Sequence, residues 1–247
     1  MGHIESITEK MNENEDLNYN RFLRRQIQRD KVATKGERTC NKIKLATAQV
    51  LNKISYKDLR VVDICNKANI SAGTFYIYFK EKKEVTVEVL TNFVEMFHSR
   101  VRSHKAEYDF EAIQSENMAY LQLAKDNPGL ISCFLEVGIE DSELAKFHQQ
   151  TDLATYTNIV ERVIRVKPAT DFNLTLAMVF ALGSMMDEVA RRLVLEETPI
   201  LNSVIKNLDS NIESYCECLS IVWYRTLFGT NPKQVKSDMA NKYLSSH

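Results

Sequence analysis

Apolar residues recur at helical spacing along most of this chain, and few helix-breaking residues interrupt them. The 247 residues include only 7 Gly and 4 Pro, whereas an all-β fold needs many turns. The pattern therefore predicts an all-α protein. Two short helices are expected within 60–84, and further helices over 35–53, 82–104, 109–126, 129–137, 142–166, 171–195, 199–207 and 209–228.

The two ends of the chain do not follow this pattern. Residues 1–20 are polar and rich in Asn and Glu, which predicts disorder. Residues 21–35 carry six cations and could form a helix or a loose arm. Two interpretations of this segment stay open, a solvated tail or an arm that contacts phosphate or the minor groove. At the other end, Gly229 and Pro232 are expected to close the ordered part.

Charge is unevenly distributed, although the formal net charge of the whole chain is only -1. Residues 21–90 contain 16 Lys and Arg against 7 Asp and Glu, whereas residues 91–247 contain 15 against 21. A basic N-terminal third suits a DNA-binding region attached to an acidic body that must not bind DNA. A chance distribution of charge is the alternative.

The segment 60–84 carries the clearest chemical pattern in the chain. The second of its two short helices begins with small residues, and a helix that enters the DNA major groove must bring its first turn close to the base edges. Hydroxyl groups in that turn can bond phosphate or base, and free N–H groups at a helix start favour phosphate. The small residues are Ser71, Ala72, Gly73 and Thr74.

Aromatic and basic residues follow this first turn. Phe75 and Phe79 are four apart and are expected to face inward. Tyr76 and Tyr78 offer rings for thymine methyl groups and hydroxyls for phosphate, unless both belong to the core. We expect phosphate contacts from the neighbouring cations, Arg38, Arg60, Lys80, Lys82 and Lys83.

The stretch from Asn69 to Lys82 resembles the recognition-helix signature of TetR-type transcriptional regulators. The preceding Val62–Cys65 matches the first helix of their helix-turn-helix motif, and Ile43–Leu51 matches their opening helix. The resemblance covers about residues 35–90. By matching position it implies six DNA contacts: Thr74, Tyr78 and Lys82 at phosphates, and Ala72, Gly73 and Tyr76 over base edges.

Three departures from the family pattern bear on these contacts. The first helix of the motif lacks the usual Thr at its start, so we expect Asp58 to cap it. Asn69 stands where the turn often has Gly, and Asn tolerates a left-handed backbone. Val62 stands where an Arg or Lys often donates to a base. We therefore expect sparse base readout, with specificity from Tyr76, thymine contacts and DNA shape.

The resemblance also implies a helical C-terminal domain that binds a small molecule and dimerises. Residues 171–195 are apolar on almost all sides up to Met186. We therefore expect one side of this helix to pack on the same protomer and another side to pack on a partner subunit. The core of one large monomer is the alternative. We expect the dimer interface to include Gly183, Met186, Ile221 and Trp223.

An effector pocket is harder to infer, because aromatic and Met residues at helical spacing usually belong to a core. Candidates on expected inner helices are Tyr120, Cys133, Phe134, Tyr156, Met178 and Met185. A mostly apolar effector is expected, since no Arg or Lys cluster in the body indicates a phosphate group. The 5 Cys and 5 His lack zinc-site spacing and no catalytic motif is present, so we expect no metal, no cofactor and no enzymatic activity.

These inferences define four regions. They are a polar extension over 1–34, a helix-turn-helix DNA-binding domain over 35–83, a helical effector-binding and dimerisation domain over 84–230, and a tail over 231–247. We predict a homodimeric, cytoplasmic repressor that a small apolar effector releases from a palindromic double-stranded DNA operator. The apolar run Phe172–Met186 is too short to span a bilayer, so no membrane association is expected. The alternatives are an activator or ligand-independent DNA-binding protein and, more remotely, a helical enzyme.

Overall fold

The computed structural model describes residues 17–30, 32–101, 108–140, 142–195, 200–208 and 210–246. Within these ranges the chain is helical and contains no strand, which confirms the all-α prediction. In chain order the helices are α1 Tyr19–Arg29, α2 Lys35–Leu51, α3 Val61–Ala68, α4 Ala72–Tyr78, α5 Lys82–Val101, α6 Phe110–Asp126, α7 Pro128–Glu140, α8 Ser142–Val166, α9 Phe172–Ala190, α10 Ile200–Asn207, α11 Ile212–Phe228 and α12 Asp238–Ser246.

The packing divides the chain into two compact units. The head unit contains Met1–Arg100 and Leu123–His148, and the body unit contains Val101–Gln122 and Gln149–His247. The helix-turn-helix segment lies in the head unit together with most of α5 and all of α7. The units therefore do not coincide with the predicted regions 35–83 and 84–230, because those were drawn from the motif and not from packing.

The N-terminal extension contains a packed helix, α1. Its Tyr19 and Leu23 are buried, and the Tyr19 ring packs edge-on against Phe93 of α5 with the ring centroids 5.6 Å apart. The Asn18 side chain caps the helix by accepting the N–H of Arg21 at 3.1 Å. Of the segment 1–20, for which the sequence predicts disorder, residues 1–16 lie outside the described residues.

The junction of α6 and α7 packs against the start of α1 and the end of α2. Asn127, which is fully buried, accepts the N–H of Tyr19 at 2.7 Å and donates to the carbonyl of Leu17 at 2.7 Å. A Cβ atom on Gly129 would lie 2.2 Å from the carbonyl oxygen of Leu51, so only glycine allows this approach to α2. Both contacts fix the junction within the head unit.

Helix α9 of the body unit continues as a π-helical turn over Arg191–Leu195. The resulting segment Phe172–Val194 is long and apolar enough to cross a membrane, judged by length and composition, and it is longer than the run expected from the sequence. The core helix of a soluble protein passes the same test. Only 33% of its most apolar 18-residue window is buried in the protomer, so much of this helix is exposed.

The C-terminal segment forms helix α12, which packs on α11. Ala240 of α12 and Ile221 of α11 are both fully buried in one apolar cluster. The buried carboxylate of Glu217 accepts the N–H groups of Lys236 at 2.6 Å and of Ser237 at 2.8 Å, which fixes the start of α12. The prediction that order ends near residue 232 is therefore wrong.

Candidate nucleic-acid interface

The turn between α3 and α4 is built on a residue in the left-handed conformation. Asn69 has φ 52° and ψ 57°, and it is the one non-glycine residue with positive φ in the described part of the chain. The N–H of Ile70 donates to the carbonyl of Cys65 at 3.1 Å, which ends α3 and redirects the chain. Asn69 thus does what Gly often does in such turns, as the sequence predicts.

The start of α4 is small and open. The Ser71 hydroxyl oxygen caps the helix by accepting the N–H of Thr74 at 3.1 Å, and it lies 2.9 Å from the Thr74 hydroxyl oxygen. Ser71, Ala72 and Gly73 are exposed. A Cβ atom on Gly73 would meet only the Ser71 hydroxyl, at 3.7 Å. The first turn therefore leaves room for a base edge or a phosphate close to the backbone.

Helix α4 has one buried face and one exposed face. Phe75 and Phe79 are buried and anchor it on the head unit, whereas Tyr76 is 58% exposed. Ile77 is 77% exposed and was missed as a candidate contact. The signal was available, because at 3.6 residues per turn Ile77 lies about 200° around the helix from the inward-facing Phe75.

Tyr78 is half-buried and lies beside the start of α2. A Cβ atom on Gly36 would lie 3.7 Å from its hydroxyl oxygen. The start of α2 is held by a capping box in which the Thr34 hydroxyl accepts the N–H of Glu37 at 3.2 Å and the Glu37 carboxylate accepts the N–H of Thr34 at 2.7 Å. The last turn of α4 and the first turn of α2 therefore share one edge of the head unit.

Arg38 and Arg60 are both exposed, and each has a protein acceptor. Arg38 donates its Nε to the carbonyl of Ala33 at 3.0 Å, a contact that leaves its terminal Nη groups for other acceptors. Arg60 pairs with Asp63 through Nε at 3.1 Å and Nη2 at 3.3 Å. This pairing holds the pKa of the Asp63 carboxyl below its usual range. A phosphate would have to compete with Asp63 for Arg60.

The cap of α3 differs from the prediction. The helix begins at Val61, and the Asp63 carboxylate accepts the N–H of Arg60 at 3.1 Å. Asp58 instead accepts the hydroxyl of Ser55 at 2.8 Å, three residues before the helix, so it does not cap α3. An open groove of about 520 Å³ lies beside these residues, and its lining consists of Ile54, Lys57, Asp58, Arg60 and Asp63.

Lys82, for which the resemblance implies a phosphate contact, is held by carbonyl acceptors of its own chain. Its ammonium donates to the carbonyls of Tyr56 at 2.9 Å and Leu59 at 2.8 Å and lies 3.4 Å from the carbonyl oxygen of Lys57. It also lies 4.7 Å from the centroid of the Tyr56 ring. These acceptors match the three N–H donors of an ammonium group. Lys82 therefore ties the start of α5 to the loop between α2 and α3, and a phosphate would have to compete with these carbonyls for its ammonium group.

The exposed surface of the motif is apolar around the small first turn of α4. Val62 of α3 is 51% exposed, and Tyr76 and Ile77 are the large exposed apolar side chains of α4. Such groups contact thymine methyls well but supply few donors for base edges. The sparse base readout expected from the sequence stays a prediction.

The candidate pocket residues do not form one group. Cys133 is buried in the head unit, where Phe134 packs against His148 with the ring centroids 4.4 Å apart. The other four, Tyr120, Tyr156, Met178 and Met185, belong to the body unit.

Two of the body-unit candidates share a carboxylate neighbour. Tyr120 donates its hydroxyl to Asp187 at 2.5 Å. Burial, followed by the charge of Asp187, raises the pKa of both Tyr120 and Tyr156. The Tyr156 hydroxyl lies where a Cβ atom on Gly183 would be 2.0 Å away, so Gly183 makes room for this tyrosine. Asp187 was not singled out from the sequence, since a charge near a helix end usually lies at the surface.

The four predicted interface residues are all buried within a single protomer. Met186 and Trp223 are 3% and 4% exposed, Ile221 is fully buried beside α12, and Gly183 is covered by Tyr156. Most of the exposed residues of α9 are different and apolar: Phe172, Leu174, Ala177, Met178, Phe180 and Ala181. The polar exposed residues are Asn173, Ser184 and Glu188. The side of α9 assigned to a partner by the sequence is therefore the side that its own protomer covers.

No family model matches the sequence. An uncharacterised helix-turn-helix transcriptional regulator of Bacillus subtilis, YdgC, is 32% identical over 71 residues, which are 29% of this chain and 34% of that protein. The match thus spans about a third of that relative. A TetR-family regulator of Syntrophomonas wolfei superposes with a TM-score of 0.58, at 14% identity, over 81% of this chain and 98% of its own. The fold is that of TetR-type transcriptional regulators. The fatty acid degradation regulator FadR of Bacillus halodurans shares it, with a TM-score of 0.54 at 21% identity over 73% of this chain and 92% of its own.

Proposed function

We propose that this protein is a TetR-type DNA-binding transcriptional regulator, acts as a dimeric repressor in the cytoplasm, and is released from its operator by a small effector. The observation that carries the proposal is the first turn of α4, which is small, exposed and rigidly anchored by the buried Phe75 and Phe79. A helix with this layout can lie in the major groove with its backbone close to the bases. No catalytic role is assigned to any residue.

The proposed contacts divide into base-facing and phosphate-facing groups. Ala72, Gly73 and Tyr76 face base edges, with Ile77 beside them as an apolar neighbour for the DNA backbone. Ser71, Thr74 and Tyr78 supply hydroxyls for phosphates, and the Nη groups of Arg38 supply charge. Lys82 positions the motif and does not touch DNA.

Titration of fluorescent genomic duplexes with the protein at low salt tests DNA binding. Tyr76→Ala should weaken binding to the preferred duplex by about 1–3 kcal/mol and reduce discrimination between sequences. Val204→Ala, which removes an exposed apolar side chain of α10 in the body unit, is the matched control and should bind as the wild type does. The proposal fails if the wild type binds no duplex above the level for random DNA.

The exposed apolar face of α9 is the proposed dimer interface, and its core is Leu174, Met178 and Ala181. Residues 174, 178 and 181 follow one side of a helix, and contiguous apolar surface of this kind marks association sites. Leu174→Glu should convert the dimer to a monomer in sedimentation velocity, whereas Val204→Glu should not. A wild type that sediments as a monomer at micromolar concentration would refute this part.

The proposed effector site uses the tyrosines of the body unit. Tyr120 and Tyr156 present polar groups near Asp187 and Asp152, and the Tyr156 ring packs against Phe180, so the site combines a polar end with an apolar wall and suits a mostly apolar molecule with one polar end. Because FadR of the same fold is named for fatty acid degradation, fatty acids belong among the first compounds to be tested. Tyr120→Phe should weaken effector-induced release of DNA without changing DNA affinity, and Tyr243→Phe of α12 is the control.

Effector binding in the body unit would reach the head unit through the helices that belong to both. Helices α6 and α8 each pass from one unit to the other along the chain, and α5 ends at the boundary between them. The effector must bind more tightly to the arrangement of the dimer in which the two α4 helices can no longer enter successive major grooves, which lie about 34 Å apart.

A further inference from the structure

Helix α1 is a strongly basic part of the head unit that the helix-turn-helix motif does not include. It carries four Arg and no Asp or Glu. Arg21, Arg24 and Arg29 are exposed, and Arg25 is half-buried. Residues 21, 25 and 29 are four apart and follow one side of the helix, with residue 24 next to them. Their charge therefore forms a stripe along α1.

The position of this stripe is fixed by packing. Tyr19 and Leu23 bury the opposite side of α1, and the guanidinium of Arg100 lies 5.1 Å from the centroid of the Phe22 ring. The hydrogen bond from the Tyr19 N–H to Asn127 holds the start of the helix. Helix α1 is thus a packed element, which is the helical alternative for this segment and not the loose arm.

The packing also sets the direction of α1. Its start lies at Asn127, on the α6–α7 junction that also contacts Leu51 at the end of α2. Its end leads through a short connection to Thr34, which caps the start of α2. Because α1 packs on α2, the two helices form an antiparallel hairpin. Arg29 therefore lies at the same edge of the head unit as Tyr78, the last residue of α4.

We propose that the C-terminal half of α1 binds the phosphate backbone of DNA that flanks the base pairs facing α4. This inference rests on the proposed function and extends the DNA contact beyond the motif. Between residues 19 and 42 only Asp30 and Glu37 are acidic, and the Glu37 carboxylate is used in the capping box. Closely spaced, exposed cations complement phosphates. The cations at this edge are Arg24, Arg25, Arg29, Lys35 and Arg38.

The experiment measures the salt dependence of affinity for a duplex that the wild type binds. Each phosphate contact contributes about 0.9 to the slope of log affinity against log salt. The double variant Arg24→Gln/Arg29→Gln should lower this slope by about two per protomer and remove hydroxyl-radical protection at the flanking phosphates. The variant Arg24→Lys/Arg29→Lys keeps the charge and should retain most of the wild-type slope.

Arg21→Gln is the matched control, because residue 21 lies about 12 Å from residue 29 along the helix, at the end away from α4. It should leave slope and footprint unchanged, and circular dichroism shows whether each variant is folded. Equal slopes and footprints for the wild type and the Gln double variant would overturn this inference and leave the proposed function intact. Equal losses in Arg21→Gln would overturn it too, since net charge alone would then explain the effect. A wild type that binds no duplex would overturn the proposed function and this inference with it.

Discussion

Replacing Asn127 by Ala should detach helix α1 from the head unit. The Asn127 side chain accepts the N–H of Tyr19 at 2.7 Å and donates to the carbonyls of Leu17 at 2.7 Å and Leu123 at 2.9 Å. Asn127 and Tyr19 are fully buried, so water cannot replace these bonds without local opening. The side chain thus joins the start of α1 to the α6–α7 junction.

The size of the effect follows from the groups that lose their partner. The Leu123 carbonyl keeps its bond from the backbone N–H of residue 127 at 3.0 Å, so it stays satisfied. The Tyr19 N–H and the Leu17 carbonyl do not. A buried group left without a partner costs about 1–3 kcal/mol, so the loss of partners for two groups in Asn127→Ala should lower the free energy of unfolding by about 2–6 kcal/mol. This is a large part of the roughly 5–15 kcal/mol that stabilises a typical domain.

Two measurements distinguish local opening of α1 from a lower stability of the whole protein. Urea unfolding followed by circular dichroism gives the total change, and hydrogen exchange of the Tyr19 amide reports whether α1 opens alone. The single Trp, at position 223, lies in the body unit, so its fluorescence reports on that unit. Asn66→Ala, at an exposed position of α3, is the control and should change stability by less than about 0.5 kcal/mol. Wild-type stability together with an equally protected Tyr19 amide in Asn127→Ala would refute the reasoning.

Three further changes test other contacts. Gly129→Ala puts a Cβ atom 2.2 Å from the Leu51 carbonyl oxygen and should lower the free energy of unfolding by about 1–3 kcal/mol in urea titrations; unchanged stability would contradict the close approach. Lys82→Ala should lower the melting temperature but leave the salt slope of DNA binding unchanged, and a slope lower by about one would restore the phosphate role. Glu217→Gln should cost about 1.5–3 kcal/mol at pH 7. Burial raises the pKa of the Glu217 carboxyl, but hydrogen bonds from Ser237 and the backbone outweigh burial and lower this pKa. The ionised carboxylate therefore stabilises the folded protein above about pH 4.5, and this stabilisation is lost as the pH falls through the folded-state pKa. Urea unfolding of both proteins at pH 7 and pH 3 checks this, and a difference that does not shrink at pH 3 would contradict it.

Helix positions could be predicted well, because hydrophobic period and capping residues are local signals. The expected helix over 142–166 agrees with α8 at both ends, and the turn at Asn69 has the expected left-handed backbone. Helix α12 was missed because its apolar residues are few, and a buried carboxylate 19 residues away, Glu217, fixes its start. Such a partner is invisible in a local pattern.

Candidate DNA contacts could be predicted by residue type but not by partner. Whether a lysine ammonium is available to phosphate depends on the carbonyls around it, and those around Lys82 come from a loop more than 20 residues earlier. Asp58 has the right chemistry for a helix cap, but the Ser55 hydroxyl takes its carboxylate. Ile77 was not predicted because the expected contacts were tyrosines and cations, which carry hydrogen-bonding groups. A large exposed apolar side chain such as Ile77 is itself a sign of a contact surface.

The proposed dimer surface on α9 shows why packing is needed in addition to the sequence pattern. A helix that is apolar on almost all sides is expected to pack against two neighbours, and Gly183 was assigned to the partner side because a small residue permits close approach. The structure fills that side with Tyr156 of the same protomer, and only a residue without a Cβ atom could lie beneath its hydroxyl. The remaining apolar side, with Leu174 64% exposed, is left for a second cover. Burying such side chains stabilises by about 1.5–3 kcal/mol each, so a second copy placed against this face would gain enough from several of them to hold a dimer.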